Sequence, residues 1–182
     1  MTKNFSVSLY GSIVLFVGVF LLLSEKTSFE TVRFTLGIAL CLGAVLSFLS
    51  ARSRKRKQVE FAYHELHALA MLAYGLSVLL FAHKIQTLIY FTSFLLFFYA
   101  FSEITFCTWL FNLGRKMIYK IVIIRLALGL IVGSGVVFIM SYHEAHEENT
   151  LAGFGFLFLL IGINILLYVP IMREKGLNKG FE

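Results

Sequence analysis

The sequence predicts an all-α membrane protein whose six transmembrane helices form three repeated hairpins, with both termini in the cytoplasm. Composition indicates the membrane: 59% of the 182 residues are hydrophobic and 14% are charged, whereas a soluble domain is ordinarily about 45–50% apolar and about 25% charged. One bilayer crossing takes about 20 apolar residues, so the chain has room for roughly six crossings. The third observation is that the chain repeats itself internally. Together they exclude a disulfide scaffold, a disordered chain and a large catalytic domain.

Six charge-poor stretches define the predicted helices of one domain covering residues 1–182. Their bounds are Val7–Leu23, Thr31–Ala51, Phe61–Ala82, Ile85–Phe111, Ile118–Met140 and Thr150–Ile171. They pair into hairpins over about 7–51, 61–111 and 118–171. Apolar residues run without polar alternation, which favours helices over the strands of an outer-membrane barrel. The first stretch is interpreted as a retained anchor, because Leu22–Glu25 offers no signal cleavage site.

Lys and Arg are distributed unevenly among the connections. Most of the 16 lie at the N-terminus, between helices two and three, between helices four and five, and in the C-terminal tail. The positive-inside rule places those regions, and therefore both termini, in the cytoplasm. The basic run Arg52–Lys57 is interpreted as a topogenic loop that attracts anionic lipids. Nucleic acid is not a predicted partner, because no aromatic platform or recognition fold accompanies the charge.

The second hairpin matches the first at a constant offset. Gly18 aligns with Gly75 and Gly43 with Ala100, a shift of 57 residues in both cases. A weaker third match begins at Gly129 and returns through Gly162. A triplication of this kind predicts three hairpins around a pseudo-threefold axis normal to the membrane.

Glycines recur at helical spacings in both helices of the first and third hairpins. Small residues let helix backbones approach closely in membranes. The predicted packing positions are Gly11, Gly18, Gly37, Gly43, Gly129, Gly133, Gly155 and Gly162. Packing within one chain is the favoured interpretation, and a homodimer seam is the alternative.

The first hairpin reads Gly-Ser-Ile-Val-Leu-Phe-Val-Gly-Val-Phe-Leu-Leu-Leu, then a polar turn, then Leu-Gly-Ile-Ala-Leu-Cys-Leu-Gly-Ala-Val-Leu. This pattern resembles the HdeD-like membrane proteins over roughly Leu9–Tyr168. The resemblance implies a protein of the bacterial inner membrane that takes part in resistance to acid or envelope stress. The chain departs from the family pattern after Leu23, where the proline often found at the hairpin turn is missing.

Two other functions stay open at this point. One is a small channel or transporter for protons or small solutes. The other is a membrane scaffold that binds a second copy or another membrane protein through its aromatic fourth helix. That helix carries Phe91, Phe94, Phe97, Phe98, Phe101 and Phe106.

Two charged residues lie inside predicted helices. Glu103 precedes Phe111 by eight residues, and Arg125 follows Ile118 by seven. At about 1.5 Å per residue, both lie about 10–12 Å from the cytoplasmic end. A charge at membrane depth costs about 2.5–3.5 kcal/mol, so the matched depths predict an ion pair between helices four and five. The alternatives are a proton relay through Glu103, and an Arg125 side chain that reaches the interface beside a neutral Glu103.

Other polar residues have weaker signals. Asn164, deep in helix six, is predicted to bond across helices. His64 and His67 have the spacing of half a metal site, but they are interpreted as a polar turn at the interface. The external loop holds the densest titratable cluster, with His143, Glu144, His146, Glu147 and Glu148. Histidine titrates near about 6.5 and glutamate near about 4.3, so acid reverses the sign of the loop's charge. This predicts a pH-responsive loop, and the alternative is a solvated linker.

Motifs for catalysis and cofactor binding are missing. The sequence contains no Gly-rich phosphate loop, no His-Glu-x-x-His pair and no Cys-x-x-Cys pair, and it has no aspartate. We therefore predict a non-enzymatic protein with no cofactor and no bound metal.

Overall fold

A computed structural model describes residues 3–52, 59–112, 119–142 and 147–167 of the chain. Within these ranges the chain is helical and contains no strand, which confirms the predicted all-α class. The helices are α1 (Lys3–Leu22), α2 (Phe29–Arg52), α3 (Val59–Phe81), α4 (Ile85–Asn112), α5 (Tyr119–Tyr142) and α6 (Glu147–Leu166), with a short 3-10 turn at Ser24–Lys26. Each helix overlaps one of the six apolar stretches.

Among the residues that the structure describes, four helical segments are long and apolar enough to cross a membrane: Phe29–Leu49, Ile85–Asn112, Tyr119–Tyr142 and Asn149–Leu166. Within the described residues, the apolar parts of α1 and α3 are the shorter segments Val7–Leu22 and Leu66–Phe81.

The exterior of the bundle is apolar. Every helix exposes large hydrophobic side chains, among them Phe16, Leu42, Leu69, Phe94, Phe138 and Phe156. Soluble monomers rarely expose apolar patches on this scale. The interior meanwhile holds fully buried charged residues. An apolar outside around a partly polar inside is the arrangement that a bilayer requires, so the chain is a helical membrane protein.

The six described helices pack in a closed order in which each contacts its chain neighbours and α1 contacts α6. The interfaces between two helices are called seams here. The most extensive seams are α1–α6, α2–α3 and α4–α5, and the seams within the predicted hairpins are smaller. Large and small seams therefore alternate around the bundle. Neighbouring hairpins are joined to each other by more contact than joins the two helices of one hairpin.

Glycine allows the large seams to close. A Cβ on Gly18 would lie 2.9 Å from the carbonyl oxygen of Gly155, and a Cβ on Gly155 would lie 2.8 Å from that of Gly18. On α3, a Cβ at Gly75 would lie 2.8 Å from the carbonyl oxygen of Gly37. Real Cβ atoms essentially never make such contacts with backbone. Glycine is therefore required where α1 meets α6 and where α2 meets α3.

The remaining predicted packing glycines differ among themselves. A Cβ at Gly162 would lie 2.9 Å from the backbone nitrogen of Leu15, so glycine is required there as well. A Cβ at Gly11 would press on the side chain of Leu166, and a Cβ at Gly133 would lie 3.3 Å from the Ala100 Cβ. Gly43 is the exception, because the nearest atom to its added Cβ would be 3.6 Å away, an ordinary contact. Close helix approach therefore does not require glycine at position 43.

Candidate functional site

An ion pair joins α4 and α5 inside the bundle. Arg125 donates from Nε to Glu103 Oε1 at 2.7 Å and from Nη2 to Glu103 Oε2 at 2.9 Å. Both side chains are 0% exposed. The two parallel bonds are the strong bidentate arrangement of a guanidinium and a carboxylate. This is the contact that the matched depths of the two residues predict.

Neighbouring residues of α4 and α5 shape the space around the pair. A Cβ on Gly129, one turn after Arg125, would lie 3.2 Å from Glu103 Cγ. The Phe106 ring lies 5.5 Å from Arg125 Cζ, within the range of a cation–π contact. Cys107 Sγ donates to Glu103 Oε1 at 3.4 Å. The close approach of the helices at Gly129 and the Phe106 ring thus both border the pair.

Ser102 links α4 to α3. Its Oγ lies 2.8 Å from His67 Nε2 and donates to the Tyr99 carbonyl oxygen at 2.9 Å. A hydroxyl has one hydrogen to donate. The direction of the bond between Ser102 and His67 therefore depends on the tautomer of His67. His67 is buried, so its interpretation as part of an interfacial polar turn was wrong.

Tyr99 links α4 to α6. Asn164 donates from Nδ2 to the Tyr99 hydroxyl oxygen at 2.6 Å, so Asn164 bonds across helices as its depth predicts. Among the described residues, Asn164 Oδ1 is buried without a hydrogen-bond partner. The Tyr99 ring also lies 5.1 Å from the His67 ring.

These contacts form one buried polar cluster, defined here as His67, Tyr99, Ser102, Glu103, Arg125 and Asn164. Helix α4 is its centre, because Tyr99, Ser102 and Glu103 occupy adjacent turns and bond α6, α3 and α5 respectively. Nothing in the sequence pattern marks Tyr99 or Ser102 as partners. The one signal is that Tyr99 and Glu103 are four residues apart and therefore lie on one helix face.

A small cavity adjoins the cluster. It measures about 30 Å³ and is lined by Tyr10, His67, Tyr99, Phe158 and other, mainly apolar, side chains. A cavity needs about 10–15 Å³ to hold one water molecule, so this space is large enough for water, but its lining offers few polar partners.

A second polar contact lies near the start of α2, at Arg33. Arg33 donates from Nη1 to the Ala82 carbonyl oxygen at 3.3 Å, and the same atom lies 3.3 Å from His83 Nδ1. Its Nη2 lies 3.1 Å from Glu30 Oε2. Arg33 thereby ties the first turn of α2 to the turn between α3 and α4. Sequence reasoning did not identify this contact.

Some predicted sites fall outside the described residues. His143, Glu144 and His146 lie in the gap between α5 and α6, and the side chains of Glu147 and Glu148 are not described. The same holds for residues 53–57 of the basic run and for the side chain of His64. Among the residues that are described, no group of three or more His, Cys, Asp or Glu could hold a metal ion.

The aromatic surface of α4 is smaller than the sequence indicates. Phe94, Phe97 and Phe101 are exposed, but Phe106 is buried against Arg125. Phe106 therefore belongs to the interior of the bundle and offers nothing to a partner.

Fold and site define a helical membrane protein with a buried polar cluster centred on its fourth helix. Comparison with protein-family models, with characterised proteins and with solved structures finds no match to this chain.

Proposed function

We propose that the protein is a non-enzymatic, multi-pass protein of the bacterial inner membrane that acts in resistance to acid or envelope stress, as the resemblance to HdeD-like proteins implies. The observation that supports the proposal is the buried Glu103–Arg125 pair. Arginine is always charged, so the pair is neutral overall only while Glu103 is ionised. Acid that reaches Glu103 leaves Arg125 as an uncompensated buried cation, which is strongly destabilising. Acid should therefore weaken the packing of α4 on α5.

The architecture proposed for this function is six crossings made of three hairpins. The alternation of large and small seams around the bundle supports a threefold repeat. The positive-inside rule supports cytoplasmic termini. Reporter domains fused after Lys57, Arg115 and Glu182 should then read cytoplasmic, and those near Lys26 and His146 should read external. A cytoplasmic signal at His146 would overturn the six-crossing topology.

Survival after acid challenge tests the function. Cells of the source bacterium that lack the gene are complemented with the wild-type chain, with Glu103→Gln, or with Gly43→Ala as a packing control. We expect the wild type and Gly43→Ala to restore survival and Glu103→Gln to fail at equal membrane abundance. Equal survival with and without the gene would refute a role in acid resistance.

The loop prediction is tested in the same strain. Replacing His143, Glu144, His146, Glu147 and Glu148 with glutamine removes every titratable group from that loop. If the loop responds to acid, these changes lower survival even where Glu103 is intact. Unchanged survival would make the loop a solvated linker and leave the Glu103–Arg125 pair as the acid-responsive element.

Proton or small-solute transport is the second candidate function. The observation that favours it is the polar cluster that reaches four helices beside a cavity of about 30 Å³. Purified protein in liposomes loaded with a pH-sensitive dye tests it directly. A proton flux that depends on Glu103 would favour transport over the stress role without flux.

Partners are proposed on composition and surface. Anionic lipids are expected at the basic run Arg52–Lys57, because clustered cations attract phosphates. A second copy or another membrane protein would contact the exposed Phe94, Phe97 and Phe101 of α4. Crosslinking of the Phe97→Cys variant in intact membranes distinguishes a second copy from another membrane protein by the mass of the product.

A further inference from the structure

A groove of about 640 Å³ runs along the outside of the bundle between α3 and α4. Small side chains of α3 line one wall, with Ala70, Ala73 and Ser77 spaced three and four residues apart. Phenyl rings of α4 line the other wall, among them Phe94 and Phe98. The volume falls in the range of about 300–1,000 Å³ that is typical of small-molecule sites.

The groove exists because each of its helices is held more closely by a different neighbour. Helix α3 packs closely on α2 where Gly75 meets Gly37, and α4 packs on α5 where Ala100 meets Gly133. At the floor of the groove, a hydrogen bond of 2.8 Å between the Tyr74 hydroxyl and Thr92 Oγ1 joins α3 to α4.

The dimensions of the groove match one leaflet of a bilayer. From Ser77 to Leu66 it spans 11 residues of α3, or about 16 Å at about 1.5 Å per residue. One leaflet contributes about 15 Å of hydrocarbon. Ser77 lies about 7 Å along the helix axis from the turn at Ala82, which is about the thickness of the headgroup layer on one side. Tyr90, in the same groove, lies at the level where amphipathic rings meet headgroups.

A cation that complements a phosphate lies beyond the groove, in the turn that joins its two helices. This turn carries Lys84, whose side chain is exposed. A lysine near the membrane surface attracts an anionic headgroup by about 1 kcal/mol. The groove itself is almost wholly apolar, so a polar ligand placed there would lose its hydration without compensation.

We propose that the α3–α4 groove binds one acyl chain of an anionic phospholipid, with the phosphate beside Lys84. This site is separate from the basic run Arg52–Lys57, which precedes α3 in the sequence. The aromatic wall and the small-residue wall contact the acyl chain, and the lysine attracts the headgroup phosphate. The site depends on the membrane placement of the helices and on no particular cellular role.

Tryptophan fluorescence tests the proposal. The chain has one tryptophan, so Trp109→Phe provides a silent background. Phe94→Trp then places a reporter in the groove, and Ile131→Trp places a reporter at a similar distance from the same end of the bundle on the exposed face of α5. Purified protein in detergent is titrated with phosphatidylglycerol that carries brominated acyl chains, which quench tryptophan on contact. We expect saturable quenching of the groove reporter at one lipid per chain and only weak, unsaturated quenching on α5.

Substitutions in the groove and in the turn distinguish the contribution of the acyl chain to binding from that of the headgroup. Ala73→Phe fills the groove and should weaken binding tenfold or more, while Ala127→Phe on the exposed face of α5 should leave it unchanged. Lys84→Gln should weaken phosphatidylglycerol binding about fivefold and leave unchanged the binding of brominated diacylglycerol, which has no phosphate. Native mass spectrometry of chains that retain Phe94 should show one bound lipid, lost in Ala73→Phe.

Three results would overturn the proposal. Equal quenching of both reporters, or binding unchanged by Ala73→Phe, would make the groove ordinary lipid-facing surface. Phosphatidylglycerol binding unchanged by Lys84→Gln would show that the phosphate does not lie beside this lysine.

Discussion

Removing one partner of the Glu103–Arg125 pair should destabilise the protein more than removing both. In Glu103→Gln the amide still accepts a hydrogen bond, but Arg125 remains charged at 0% exposure. Breaking a buried pair from one side costs about 3–5 kcal/mol in soluble proteins, and insertion scales assign about 2.5–3.5 kcal/mol to a charge at mid-membrane. We therefore expect Glu103→Gln to lower the free energy of unfolding by about 3 kcal/mol.

The reciprocal change should cost less. In Arg125→Gln the stranded group is a carboxyl, which can neutralise itself by binding a proton, whereas arginine stays charged. We expect a loss of about 1–2 kcal/mol, of the order of an unsatisfied buried polar group. The double variant has two neutral amides that can bond each other, so it should lie within about 1 kcal/mol of the wild type.

Equilibrium unfolding in mixed micelles of mild detergent and dodecyl sulfate measures these free energies. The wild type, both single variants and the double variant form a cycle whose coupling energy isolates the pair. Leu130→Ala, on the exposed face of α5, controls for nonspecific effects of substitution. Effects that add in the double variant, with coupling below about 0.5 kcal/mol, would refute the reasoning. A larger loss for Arg125→Gln than for Glu103→Gln would refute the argument about which charge can neutralise.

Three further predictions use the same unfolding assay. Gly18→Ala should lower stability by about 1–3 kcal/mol because its Cβ meets the backbone of α6, while Gly43→Ala should change it by less than about 0.5 kcal/mol or raise it through helix propensity; similar losses at both positions would contradict the packing. Tyr99→Phe should cost about 1–3 kcal/mol because it strands the Asn164 amide, and adding Asn164→Leu should recover most of the loss; no recovery would mean that the bond at 2.6 Å is not what holds the amide. Gly129→Ala should reduce the coupling energy of the ion pair, since its Cβ displaces Glu103 Cγ, and an unchanged coupling would show that the seam can yield without disturbing the pair.

The helical class and the depths of the charges follow from local properties of the sequence. In lipid, each backbone polar group must be satisfied within its own helix, so a long apolar run is sufficient to predict a helix. Along a helix, residue number converts directly into depth. The shared level of Glu103 and Arg125, and their contact, could therefore be predicted from two residue counts and the cost of a buried charge.

The rotation of each helix about its own axis is a different matter, and it was decided by tertiary structure. These helices are apolar on the lipid face and on the core face alike, so the usual contrast between an apolar and a polar face is missing. Sequence reasoning therefore could not distinguish Gly18, where a Cβ would collide with backbone, from Gly43, where it would fit. For the same reason Phe106 was assigned to the surface and His67 to an interface, although both are buried. Helix rotation and neighbour choice are collective results of packing all six helices at once, and they alone bring Tyr99, Ser102 and Glu103 of α4 against three different partners.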